Sequence, residues 1–173
     1  AAWEFARSPG APELSVINPS FVQGPALDPD LSTSLEVIRL MGRGKYPLSP
    51  RLMFPICDVR DVAAAHVAAM TVPAAAGRRF LVSSGDLPLI DLGRQMVAEL
   101  PDLKSKAPRA EMPDWMVRAL ALFDKRLATV LPELGTHRQC RSTAVTDVLG
   151  VKLHAKEASV RAAARSLRDL KMI

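Results

Sequence analysis

Apolar positions along the chain alternate between the spacing of strands and that of helices, and each change marks an element. The run LSVINPSFV, ending at Val22, is rich in β-branched and aromatic residues and predicts a buried strand. Pro19 should close it, because proline has no N–H for a sheet ladder, and Gly24-Pro25 then turns the chain away. A loop over 26–30 leads to Leu31-Ser32-Thr33-Ser34, where a hydroxyl can cap a helix through Leu35, Ile38 and Met41 toward Gly42 and Gly44. YPLSPRLMFPICDV is extended and interrupted by prolines, with a short strand around Phe54 to Val59. Asp61 is placed to cap the helix VAAAHVAAM, whose alanines suit close packing on a sheet. Gly77 ends that unit, and RFLVS reads as a further buried strand.

Beyond Pro88 the residues Leu89, Leu92, Met96, Val97 and Leu100 fall close to helical spacing. The stretch KSKAPRAEM predicts a short extended segment, and a helix should run from Pro113 or Asp114 to about Val130. STAVTDVLG predicts a short helix, and an amphipathic helix from Glu157 to Leu170 closes the chain. Ala1 to Arg7 read as the last turns of a helix stopped by Ser8-Pro9-Gly10. No internal repeat or low-complexity tract occurs, and strands separated by helices predict an α/β fold with parallel pairing.

Composition narrows the class. The 173 residues are 49% hydrophobic and 24% charged, enough to build one domain or a large part of a bigger enzyme. The formal charge of +5 raises the question of nucleic acid, but the basic residues come singly or in pairs such as Arg78-Arg79, mixed with acids and without interleaved aromatics, so no nucleic-acid partner is expected. Cys57 and Cys140 have no ligand spacing and are expected to be reduced thiols. With no apolar window of membrane-spanning length, the chain is expected to be soluble, cytoplasmic and without a membrane partner.

No complete catalytic or metal-binding constellation is legible. His66 with Asp58 and Asp61 upstream could be imagined as a metal site, but such sites need three converging ligands and Asp61 already has a capping task. His137 with Cys140 is a weaker pair, and His154 has no partner in sequence. No GxSxG elbow is present; Ser83-Ser84-Gly85 follows a strand but lacks the leading glycine, and MGRGKYP offers only helix-ending glycines where a phosphate loop would need more.

The stretch LSVINPSFVQGP, however, resembles the strand and turn that follow the catalytic Tyr-x-x-x-Lys helix in extended short-chain dehydrogenases/reductases, the NAD-dependent epimerase/dehydratase superfamily, and within it the dihydroflavonol-reductase-like branch. AAWEFA before it, then FPICDVRDVAAAHVAAM and RRFLVSSG after it, fall in the family's order. The resemblance implies the C-terminal part of a Rossmann-type parallel sheet plus a small, mostly helical substrate-binding lobe. Residues 1–50 and 60–86 would then be the remnant of the dinucleotide-binding sheet, and 51–59 and 87–173 the lobe. It implies NADP or NAD as cofactor, with Pro19, Ser20, Phe21 and Val22 along the nicotinamide edge and Ser34 at a cofactor contact. The family's glycine-rich turn and its Tyr and Lys would all lie upstream of Ala1, and the single tyrosine, Tyr46, has no lysine four residues on. The chain is therefore expected to be the C-terminal half of such an enzyme, with no catalytic residue of its own and inactive alone. Its first strand should lack a neighbour, so it would associate with itself or with an N-terminal piece. Nucleotide-sugar epimerases of the superfamily carry a basic residue just before the strand that here reads LMFPI, so the apolar stretch implies a small hydrophobic carbonyl substrate, with the helix PDWMVRALALF as a roof for its pocket. A non-catalytic binding or assembly module, or a fragment of a nucleotide-sugar epimerase/dehydratase, is the alternative.

Overall fold

In the computed structural model, which describes residues 1–136, 139–140 and 143–173, the LSVINPSFV stretch forms two strands with different partners. Strand β1 (Val16–Pro19) pairs in parallel with β5 (Arg79–Val82), with Pro19 opposite Val82. After Ser20 the chain continues as β2 (Phe21–Gln23), which pairs in parallel with β4 (Met53–Asp58). β1 thus ends at Pro19 without ending the extended chain. Beyond Val82 the other strand also departs: Ser84 N–H donates to the Ile56 carbonyl at 2.7 Å and Ile56 N–H to the Gly85 carbonyl at 2.9 Å, leading into β6 (Asp86–Pro88), antiparallel to β4. The two parallel strands fork, and β4 is inserted between their continuations.

Side-chain alternation along β4 places it between two cores. Ile56 is buried with Ile38, Leu92, Met96 and Leu167, contributed by α2 (Thr33–Gly42), α4 (Leu89–Glu99) and α8 (Lys156–Asp169). Cys57, one residue on, points into a second cluster with Phe80 and Val82 of β5 and Ala65 of α3 (Val59–Thr71). Val145 of α7 (Ala144–Asp147) closes that cluster. A period-two strand with both faces buried needs this kind of apolar continuity.

The helices α2, α4 and α8 appear where their periodicity predicts them. Three differences have physical causes. First, α3 begins at Val59 and its cap is Asp58: Oδ1 accepts from Arg60 N–H at 2.9 Å, while the Arg60 guanidinium grips both carboxylate oxygens at 2.8 and 2.7 Å. Asp61, expected as the cap, is buried and instead accepts from the His154 backbone N–H at 2.8 Å, with His154 Nδ1 2.5 Å from its other oxygen. His154, without a partner in sequence, finds one 93 residues away. Second, the long helix expected to reach Val130 breaks at 121–124 into α5 (Asp114–Leu120) and α6 (Lys125–Val130). Third, β3 (Ser49–Pro50) and β7 (Glu111–Met112) pair in parallel as two-residue pieces too short for a period to show. A further short helix, α1 (Ala2–Phe5), opens the chain.

The Gly24-Pro25 turn is dictated by crowding. Gly24 has φ +112°, and a Cβ there would lie 2.9 Å from Asp58 Oδ1 and 3.0 Å from Val59 Cγ1, so glycine alone lets β2 leave the sheet against the start of α3. Past the turn, Ala26 N–H donates to Ser166 Oγ at 2.8 Å, fastening the loop to α8.

Gly24→Ala should destabilise the fold by roughly 1–3 kcal/mol, read from urea melts. Burial acting alone would raise the Asp58 carboxyl, but its bonds from Arg60, with help from the Ser159 hydroxyl, outweigh it and hold the group below the ordinary carboxylate value. A depressed folded-state value favours the fold while the carboxyl is ionised, above about pH 4, and the advantage goes as pH falls through that lower value. Asp58→Asn should therefore cost about 1–2 kcal/mol near neutral pH and much less near pH 3; equal losses at both pH values would rule out the charge as the cause.

Candidate functional site

Two places gather the groups that could do chemistry or bind a ligand. The first is the fork, reached by β1 and β5 with their carboxyl ends, the position where open α/β sheets take ligands. Pro19 is exposed there. The backbone following it is not left free as expected: Ser20 N–H donates to the Val82 carbonyl at 3.1 Å, and Phe21 and Val22 lie in the ladder opposite Ile56 and Cys57. The Phe21 ring packs 4.5 Å from that of Phe54 over the first core, and Val22 packs over the second. Two hydroxyls are buried there: Ser84 Oγ without a hydrogen-bond partner, and Ser20 Oγ against the Cys57 thiol. Cys57 is fully buried beside Ser20; burial pushes its thiol up, with Ser20 opposing in part, so it is held as a protonated packing group.

Ser34 stands in the first turn of α2 but does not cap it. Ser32 does, accepting from Leu35 N–H at 3.5 Å, with its hydroxyl 3.0 Å from that of Ser34. The Ser34 carbonyl accepts from the buried Gln23 side chain at 3.1 Å, which ties this turn to the end of β2. The sequence-predicted residues are thus brought into one neighbourhood, Pro19 to Val22 along the fork and Ser34 beside it. Cys57 and Ser84 were missed as members of the fork because they lie 37 and 64 residues beyond Ser20, with no local pattern to join them.

His66 does not join Asp58 and Asp61: its Nδ1 is 2.8 Å from its own helix's Val62 carbonyl. Among the described residues no three His, Cys, Asp or Glu side chains converge as metal ligands. His137 lies outside the described residues, and with it the pair His137 and Cys140.

The second place is a cavity of about 360 Å³ between α2, the 45–50 segment and α6. Val37, Met41, Tyr46, Phe54, Leu89 and Leu127 give it a mostly apolar wall. Its roof is α6, through Leu127 and Val130; on α5, by contrast, Trp115 is 69% exposed, which corrects the roof expected from PDWMVRALALF. Arg51, just before the apolar strand, is held by Asp114 through one guanidinium edge, Nε and Nη2 each donating to a carboxylate oxygen, and that pairing keeps the Asp114 carboxyl below its ordinary value. No helix among the described residues is long and apolar enough to cross a membrane.

No family model matches the chain. Individual proteins do. It is 32% identical over 150 residues to the ketoreductase azaE of Aspergillus niger, a match covering 79% of this chain and 44% of that protein. It is 40% identical over 84 residues to cinnamoyl-CoA reductase 1 of Arabidopsis thaliana, covering 49% of this chain and 24% of the reductase. Among solved structures it superposes on Gre2 of Candida albicans in complex with NADPH with a TM-score of 0.70 and 29% identity, covering 98% of this chain and 48% of Gre2. The chain thus spans from about a quarter to about half the length of these relatives. The forked mixed sheet has the Rossmann-type architecture of those reductases. By sequence and by fold together, the chain belongs to the extended short-chain dehydrogenase/reductase, or NAD-dependent epimerase/dehydratase, superfamily.

Proposed function

We propose that this chain is the substrate-binding portion of an NAD(P)-dependent ketone or aldehyde reductase of the dihydroflavonol-reductase-like branch, working in the cytoplasm. The observation that carries the reading is the apolar cavity, sized for a small organic ligand and lined by Val37, Met41, Phe54 and Leu89 in a fold related to carbonyl reductases. Arg51, the basic residue just before the apolar strand, is engaged by Asp114 and is not part of this wall, which favours a carbonyl compound over a nucleotide sugar. In this reading residues 1–50 and 60–86 belong to the dinucleotide-binding sheet, and 51–59 with 87–173 to the substrate lobe.

Pro19 to Val22 would line the nicotinamide edge, with Ser34 contributing a hydroxyl from the first turn of α2. The cofactor, when bound in its reduced form as NADPH or NADH, would supply hydride to the carbonyl carbon and leave as NADP or NAD. The accompanying proton must come from a group that this chain's residues do not offer, since its one tyrosine is followed by Pro-Leu-Ser-Pro. The outer edge of β1 has no strand partner among the described residues, and Ile17, Met70 and Val72 border a cavity of about 630 Å³ on that side. A partner there, either the remainder of such a fold or a second copy, would cover the edge.

With NADPH or NADH and a panel of aryl ketones and aldehydes, the purified chain alone should give no measurable turnover; turnover would overturn the assignment of no catalytic residue. An aryl ketone titrated against intrinsic fluorescence should bind. Val37→Phe, which fills the cavity, should weaken that binding at least about tenfold, roughly 1.4 kcal/mol, and no binding by the parent chain would remove the cavity from the proposal.

A further inference from the structure

The cavity's wall is apolar, but its lining includes a charge that nothing else uses. Gly44, with φ +72°, turns the chain out of α2, and the next residue, Lys45, stands exposed in the lining of the cavity. Lys45 makes no ion pair among the described residues. The other charged residue of the lining, Asp124, already has a partner.

Further cations gather along the same segment. Lys106 lies against Gly44, its Cβ 3.7 Å from where a Gly44 Cβ would be. Arg109 N–H donates to the Pro47 carbonyl at 3.1 Å, so this residue flanks the part of the wall formed by Tyr46 to Pro50. Neither Lys106 nor Arg109 has an ion-pair partner among the described residues. The neighbouring acids are committed elsewhere: Asp114 binds Arg51, and Glu111, opposite Ser49 in the β3–β7 ladder, adds to the negative field on that same guanidinium. An apolar hollow of about 360 Å³ whose lining carries Lys45 free of an ion pair, with its acid Asp124 already partnered, suits molecules that are apolar at one end and anionic at the other.

We propose that the ligand of this cavity is a carboxylate-bearing amphiphile: an aromatic or aliphatic body against Val37, Phe54 and Leu89, and a carboxylate at the mouth held by Lys45, with Lys106 and Arg109 adding attraction from the rim. This rests on the cavity being the substrate site, and within that reading it narrows the substrate to a keto or aldehyde acid. Ammonium to carboxylate is a charge-assisted contact in partly solvated surroundings, so the preference should be modest and sensitive to salt.

The test is direct binding to the full chain, by titration calorimetry, of three probes that share one ring system: 2-naphthoate, methyl 2-naphthoate and 2-naphthyl phosphate. At low salt naphthoate should bind about three- to tenfold more tightly than its ester. Lys45→Gln should abolish that preference, and Lys45→Glu should reverse it while leaving the ester unchanged. Val37→Phe should weaken binding of all three. Both Lys45 variants alter an exposed side chain, and an unchanged thermal midpoint checks that they are folded. Equal affinity for acid and ester, or a preference that survives Lys45→Gln, overturns the carboxylate assignment while ester binding leaves the cavity reading intact. Tighter binding of the phosphate than of naphthoate also overturns it. If none of the probes binds, the cavity reading itself falls.

Discussion

The insertion of β4 between two strands that begin as a pair is the constraint on which the rest of the structure hangs. β1 and β5 make an ordinary parallel pair until Pro19 and Val82. There the ladder makes its last bond, from Ser20 N–H to the Val82 carbonyl, and the space between the diverging chains is filled by Ile56-Cys57-Asp58. Because successive side chains of a strand point to opposite faces, this short piece faces the α2–α4–α8 core with Ile56 and the β1–β5 core with Cys57. Asp58 then uses its carboxylate to start α3 at the point where the wedge ends. Gly24 has to be a glycine because the same wedge leaves no room for a side chain at the exit of β2.

The fork exists because two strand ends separate, and the hydroxyls of Ser20 and Ser84 are buried there. The apolar cavity exists because the lobe beyond β4 is held off the end of α2 by the paired pieces Ser49–Pro50 and Glu111–Met112 instead of collapsing onto it. On the far side, α8 is locked against α4 and the turn after it by three contacts in one register: Arg161 to Gln95, Arg165 to Glu99 and Arg168 to Asp102, at 2.7 to 2.9 Å. Each is solvent-exposed and worth little alone; their common spacing fixes the sliding of one helix along the other.

The helices with strong periodicity, Thr33–Gly42, Leu89–Glu99 and Lys156–Asp169, were legible from the chain, as were the strands around Ile17, Ile56 and Phe80. What was not legible depends on distance. Whether Pro19 ends a strand or only changes its partner cannot be read locally, because the answer lies in Ile56. Asp58 and Asp61 are both plausible caps by residue type, and the choice is made by His154, whose backbone and ring occupy Asp61. Pro19 to Val22 and Ser34 were singled out through a likeness in pattern, and the structure adds what pattern cannot hold: the spent backbone of Ser20 to Val22, and the link from Gln23 to the Ser34 carbonyl.

The position of α8 has a consequence for how the molecule is made. Val160, Ala164 and Leu167 are fully buried members of the first core, and Ser166 holds the loop after Gly24 from the opposite end of the chain. Translation delivers this helix after every element it packs against. Until it emerges, α2, α4 and the wedge strand present an open apolar trough, so a ribosome-bound chain must wait for α8 before the lobe can close. That waiting period, more than the finished fold, is when the polypeptide is most in need of a chaperone.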